Sequence, residues 1–152
     1  MAWTKGRGLL GPMKPLMGRW ITANASGSSA AAGMHCRRTF SPFGKSWVEL
    51  DARWQIGPDK EYRERAFFGA GEDGSLAFYS FTNDGKRSVG RLAEAADVPD
   101  RTIAFEAQMR AGLARMLYWP LDDDRPGFWF AVESKTAKGW NRFLKQQFVP
   151  MG

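Results

Sequence analysis

The chain has 152 residues, enough for one domain with a sizeable core, and its 43% hydrophobic and 14% aromatic content, with seven Trp and eleven Phe, excludes an extended or disordered polymer. Twenty-two Lys and Arg against sixteen Asp and Glu give a net charge of +6, which favours anionic ligands or surfaces. The basic residues are scattered among acids such as Glu49, Asp51, Glu61 and Glu64 instead of forming one stripe, so no nucleic-acid partner is expected.

Residues 1–17, rich in Gly, Pro and Met, read as an N-terminal arm or lid with a short helical turn around Met13 to Met17. The domain proper occupies 18–149. From Gly18 onward the pattern alternates with a period of two and is broken by turn residues at short intervals, as an antiparallel sheet or barrel requires. The small-residue segment Asn24 to Gly33 reads as a flexible loop, or as a flap over a barrel mouth. Lys45 to Ile56 is the clearest strand, with Val48, Leu50, Ala52, Trp54 and Ile56 on one face and Glu49, Asp51, Arg53 and Gln55 on the other. Tyr62 to Gly69 follows the Gly57-Pro58-Asp59-Lys60 turn.

Leu76 to Thr82 and Arg87 to Glu94 flank Asn83-Asp84-Gly85, a strong hairpin signal because a tight turn needs positive φ at its centre. Thr102 to Met109, Ala114 to Trp119, Gly127 to Ser134 and Gly139 to Val149 complete about ten short strands, each within the usual length range. Closure removes exposed edges, so the expected fold is all-β, a single antiparallel up-and-down barrel of about 8–10 strands.

Gly18-Arg19-Trp20, preceded by Leu16-Met17 where the β pattern begins, resembles the Gly-x-Trp signature of the calycin superfamily, which includes lipocalins and fatty-acid-binding proteins. The layout is also similar to bacterial lipocalin-like domains of unassigned function. The resemblance implies a barrel that binds apolar molecules inside. It also implies a structural closure in which Gly18 and Trp20 seal the base, with Trp20 against a cation of the last strand, a place that Arg142 and Lys145 match approximately. A cation over an indole face gains roughly 0.5 to 1 kcal/mol. Lipocalins are typically secreted with disulfides, whereas the single Cys36 cannot form one within the chain. No apolar run suits a signal peptide or approaches the ~20 residues of a membrane span, so a cytoplasmic carrier or sensor is the closer analogy.

If the rings on the alternating faces line a pocket, the ligand-binding candidates are Trp54, Tyr62, Phe68, Phe78, Phe105, Tyr118 and Phe130, the alternative being that they fill the core. Ala52, Ala66, Ser80, Gly90 and Ala107 on the same faces leave room for unfilled volume. Arg142, which strict alternation places on one face with Trp140 and Leu144, is the main candidate to meet a ligand carboxylate through its bidentate fork, with Arg53 and Arg65 as further ones.

His35, the only histidine, is read as a surface or rim residue, with haem ligation or base catalysis as alternatives. No His/Cys cluster suggests zinc. Asp51, Glu64, Glu106 and Glu133 become general-acid candidates if any points inward. Asp122-Asp123-Asp124 reads as a solvated turn, and the Gly6-x-Gly8-x-x-Gly11 match to a dinucleotide fingerprint lacks the strand that should precede it.

The leading expectation is a protein that binds a small hydrophobic or aromatic, and in one version anionic, molecule without any cofactor or metal. The alternatives are an isomerase, lyase or cyclase on the same scaffold, with an inward Tyr or carboxylate as proton donor, and a haem-binding barrel. Whether catalysis occurs stays open at this level, and a homodimer is compatible with the sequence.

Overall fold

The alternation that starts at Gly18 becomes ten antiparallel strands in the computed structural model, which describes residues 3–23, 34–122 and 125–151. The segment read as a loop or flap, 24–33, and two of the three consecutive aspartates, Asp123 and Asp124, lie outside the described residues. The strands are β1 (Gly18–Thr22), β2 (Met34–Phe43), β3 (Trp47–Ile56), β4 (Glu61–Ala70), β5 (Leu76–Thr82), β6 (Arg87–Ala93), β7 (Ile103–Met109), β8 (Gly112–Pro120), β9 (Phe128–Thr136) and β10 (Gly139–Pro150). Each pairs with its sequence neighbours, and β10 pairs with β1, so one sheet closes on itself. Only a 3-10 turn at Gly11–Leu16 interrupts the β character of the described chain.

Two glycines show why the sequence permits this closure. Gly85 takes φ 87° in the β5–β6 hairpin, a left-handed conformation that side chains disfavour. Gly90 on β6 lies under Phe78, and a Cβ there would stand 2.2 Å from the ring. The missing side chain is what lets β6 and the Phe78 ring come together.

Alternation sorts the side chains by face. Val48, Leu50, Ala52 and Trp54 of β3 are buried inside, opposite Ala66 and Phe68 of β4. One end of the barrel is filled. Trp20, Phe128 and Phe148 pack there, with Trp20 edge-on to Phe128 at 5.0 Å and Phe128 stacked on Phe148 at 5.2 Å. The segment before β1 joins this packing: Met13 and Leu16 are fully buried, Trp3 lies 6.2 Å from Phe128, and the Trp20 indole donates to the Leu16 carbonyl at 2.7 Å.

On the outside, the connection between β6 and β7 lies against β7–β9. Ala95 and Val98 cover Ala104, Leu117 and Ala131, while Asp97 accepts two hydrogen bonds from Arg115 of β8 at 3.0 and 2.7 Å. A second, small apolar cluster therefore sits on the outer wall. No helix among the described residues is long and apolar enough to cross a membrane.

Candidate functional site

The half of the barrel away from the Trp20 end is hollow. A cavity of about 510 Å³ opens there, and all seven rings chosen from the alternation line it: Trp54, Tyr62, Phe68, Phe78, Phe105, Tyr118 and Phe130. Five lie in tight ring contacts, Phe68, Phe78 and Phe105 within 5.2–5.7 Å of one another and Tyr118 at 4.8 Å from Phe130. The rings thus brace each other and still leave space. Ala52, Ala66, Ser80, Gly90 and Ala107, the small residues expected to leave volume, are all buried.

The floor of the cavity is made by a residue that the sequence reading did not single out. Arg38 of β2 is in phase with Cys36 and Phe40 and points inward, where it is only 2% exposed. Its Nη2 donates to the Tyr118 hydroxyl oxygen at 2.7 Å, and its guanidinium carbon lies 4.2 Å from the Phe130 ring centroid. Because β2 and β8 are separated by three strands around the barrel, this side chain reaches across the interior. Beneath it are packed rings; above it is the cavity.

An arginine retains its charge at any pH a folded protein meets, so this interior holds a permanent cation. Its Nε has no hydrogen-bond partner, and no carboxylate lies in ion-pair contact with it among the described residues. Tyr118 already accepts from Arg38, and its own O–H finds no acceptor among the described residues. Burial pushes the Tyr118 hydroxyl up to about 12 against the opposing pull of Arg38, so it stays protonated and able to donate. Cys36 is likewise raised by burial to about 12, with Arg38 working against the shift, and is a neutral thiol at physiological pH.

The adjoining wall carries the opposite charge. Arg38 pairs in register with Ala52, and Ala52 with Glu64, so the cation and the carboxylate occupy one cross-strand row with only a methyl group between them. Glu64 lines the cavity and accepts from the Ser80 hydroxyl at 2.5 Å. Tyr62, Thr82 and Ser88 add hydroxyls along the cavity wall. Glu64 is thus the one of the four carboxylate candidates that lines the cavity; Asp51, Glu106 and Glu133 do not.

Arg142, the arginine expected to meet a ligand, does not line the cavity. It lies on the outer wall, where its Nε donates to Glu133 at 2.8 Å and its guanidinium rests 5.1 Å from the Trp119 ring centroid. The cause is a β-bulge: Arg142 pairs with Glu133 and Leu144 with Val132, leaving Phe143 as the extra residue. One inserted residue reverses the phase of every side chain beyond it. Arg142 therefore shares the outside with Trp140, while Leu144 lines the cavity.

Trp20, at the end opposite Arg142, packs on Phe128 and the Leu16 carbonyl; Lys145 instead stands over Trp129 at 4.4 Å. Arg53 and Arg65 are on the outer wall in ion pairs with Asp51 and Glu49, and His35 is exposed outside the cavity. No family model matches the chain, and no curated protein matches it significantly.

Proposed function

We propose that this chain is a binding protein for a small hydrophobic or aromatic molecule that carries a carboxylate or comparable anionic group. The observation that carries the proposal is Arg38: a buried cation with an unpartnered Nε beside a tyrosine whose hydroxyl proton has no acceptor. Burying a charge without a carboxylate in direct contact costs several kcal/mol, and a ligand oxygen that accepts from both groups restores what burial removed. The apolar body of the ligand would fill the space bounded by Phe68, Phe78, Phe105 and Phe130, contributing about 25 cal/mol per Å² of buried area before the costs of association. The closed ten-strand barrel and Gly18-Arg19-Trp20 at its first strand support a calycin-like assignment.

The test is a fluorescence titration with 1-anilinonaphthalene-8-sulfonate, an aromatic anion, followed by displacement with decanoic acid and with decanol. Decanoic acid should displace the probe at a concentration about tenfold lower than decanol, and Tyr118→Phe should shrink that difference, a charge-assisted hydrogen bond being worth about 1.5–3 kcal/mol. Equal displacement by acid and alcohol in both proteins would show that Arg38 does not select an anion.

A second reading is favoured by Glu64. A carboxylate, two tyrosines and an arginine line one cavity, and Arg38 donating to Tyr118 makes that hydroxyl a stronger hydrogen-bond donor. In this reading Tyr118 polarises a substrate carbonyl and Glu64 removes a proton from the adjacent carbon, as an isomerase requires. Deuterium uptake from heavy water into a bound cyclic ketone, lost in Glu64→Gln, is the outcome that would support it. An exchange rate equal in the two proteins would remove it.

A further inference from the structure

We propose that the outer wall of β1–β3 carries a second ligand site, separate from the cavity, in which Arg19, Arg37 and Arg53 close around a phosphate group. The strand registers place two rows of side chains side by side on this wall. One row reads Arg19, Thr39, Asp51, Arg65 and the next Ile21, Arg37, Arg53, Arg63. Same-face rows of this kind lie about 7 Å apart, within reach of long side chains.

The second row is electrostatically unfavourable on its own. Arg37 stands directly opposite Arg53, and Arg53 directly opposite Arg63, an arrangement in which like charges destabilise the sheet. Asp51 relieves only one side of it. Its carboxylate takes Arg53 and Arg63 at 3.3 Å and Arg65 at 3.8 Å, while Glu49 takes Arg65 at 3.2 Å. Burial works against the charge of Asp51, but the hydrogen bonds from Arg53 and Arg63 outweigh it and lower its pKa. That carboxylate is fully committed to the Arg53–Arg65 side.

Arg19 and Arg37, on the other side of Thr39, make no ion pair or side-chain hydrogen bond with any described residue, although Arg37 is exposed next to two further guanidiniums. Five guanidiniums thus share two carboxylates, and the excess charge is concentrated at Arg19 and Arg37. The surface is indented at that place. A depression of about 220 Å³ is bounded by Arg19, Arg37, Thr39, Asp51, Arg53 and Met151. The small Thr39 at its centre leaves room, its hydroxyl is available to donate, and the guanidiniums around it offer the planar forks that suit phosphate oxygens. Asp51 stands on the rim, which favours an anion that approaches from the Arg19–Arg37 side. The shared chemistry is a phosphate monoester or diphosphate, free in solution or at the head of a lipid.

Calorimetric titration of the full chain with sodium pyrophosphate, and co-sedimentation with phosphatidylcholine vesicles that do or do not contain phosphatidic acid, separates these sources. The double variant Arg19→Gln/Arg37→Gln should weaken binding about tenfold or more, whereas Arg87→Gln/Arg91→Gln, which removes the same charge from the exposed side of β6, should leave it within about twofold. Pyrophosphate binding lost only in the first variant supports a soluble ligand. Vesicle binding that requires phosphatidic acid and is lost only in the first variant supports a lipid source. No binding of either probe, or equal losses in both variants, overturns the proposal, since a diffuse net charge would then account for the data.

Discussion

The two ends of this barrel use the same side-chain chemistry to opposite effect. At the Trp20 end, Phe128 touches Trp3, Trp20, Tyr118 and Phe148 and is fully buried, and Met13 and Leu16 of the preceding segment are fully buried in the same packing. At the other end, Phe68, Phe78 and Phe105 brace one another but look out on a cavity of about 510 Å³, since their neighbours on the inner face are Ala, Ser and Gly. The boundary is the Arg38–Tyr118 pair. What separates a core from a pocket here is the size of the residues between the rings and whether an additional segment covers them, rather than the count of rings.

Stability and binding should divide along that boundary. The largest effect is expected at the filled end: Phe128→Ala should lower the free energy of unfolding by about 4 kcal/mol in a urea titration, because four ring contacts and the transfer of a fully buried ring are lost together. Met116→Ala, at the partly exposed cavity wall, should cost about 1 kcal/mol, since its side chain already borders open volume. Similar losses at the two sites would erase the distinction.

Ala114→Trp tests the hollow end from the opposite direction. Ala114 lines the cavity, and an indole there fills it. Binding of the naphthalene probe should fall below detection while the unfolding midpoint stays near or above that of the parent, because the void accepts the ring without strain. A large drop in stability with probe binding retained would mean that the wall is solid and the probe binds elsewhere.

The smallest effect belongs to the outer wall. Asp97 receives two hydrogen bonds from Arg115, which hold its carboxyl below its ordinary value of 3.8. A depressed carboxylate contributes stability that is complete above the unfolded value and is lost as pH falls through the folded one. Below about pH 3.8 the parent should therefore lose stability more steeply than Asp97→Asn in acid unfolding followed by circular dichroism. The difference should be small, as the Asp97 side chain is 58% exposed and screened by solvent.

Much of this architecture was legible from local patterns. Val48 to Ile56 alternates strictly, and Asn83-Asp84-Gly85 marks its hairpin by turn chemistry alone, so the strand count could be read directly and the seven rings could be named as residues of either a pocket or a core. Arg142 and Arg38 were not legible, for two separate reasons. Alternation assumes an uninterrupted strand, and the bulge at Phe143 breaks the phase between Arg142 and Leu144 in a way that composition does not announce. Arg38 does share the phase of Cys36 and Phe40, which is a signal, but a guanidinium beside a second arginine reads as solvated surface. Only the meeting with Tyr118 and Phe130, 80 and 92 positions along the chain, makes it interior. The partner of a buried charge is a tertiary fact.

The most direct test of that charge is the titration of a carboxyl-labelled decanoic acid bound to the protein, followed by carbon NMR across the acid range. If Arg38 and Tyr118 hold an anion within the barrel, the bound carboxyl group stays ionised well below the pH at which the free acid protonates, and Tyr118→Phe raises that midpoint. A bound acid that protonates at or above its value in water would contradict the account, because an apolar cavity without a partner for the charge would produce that result.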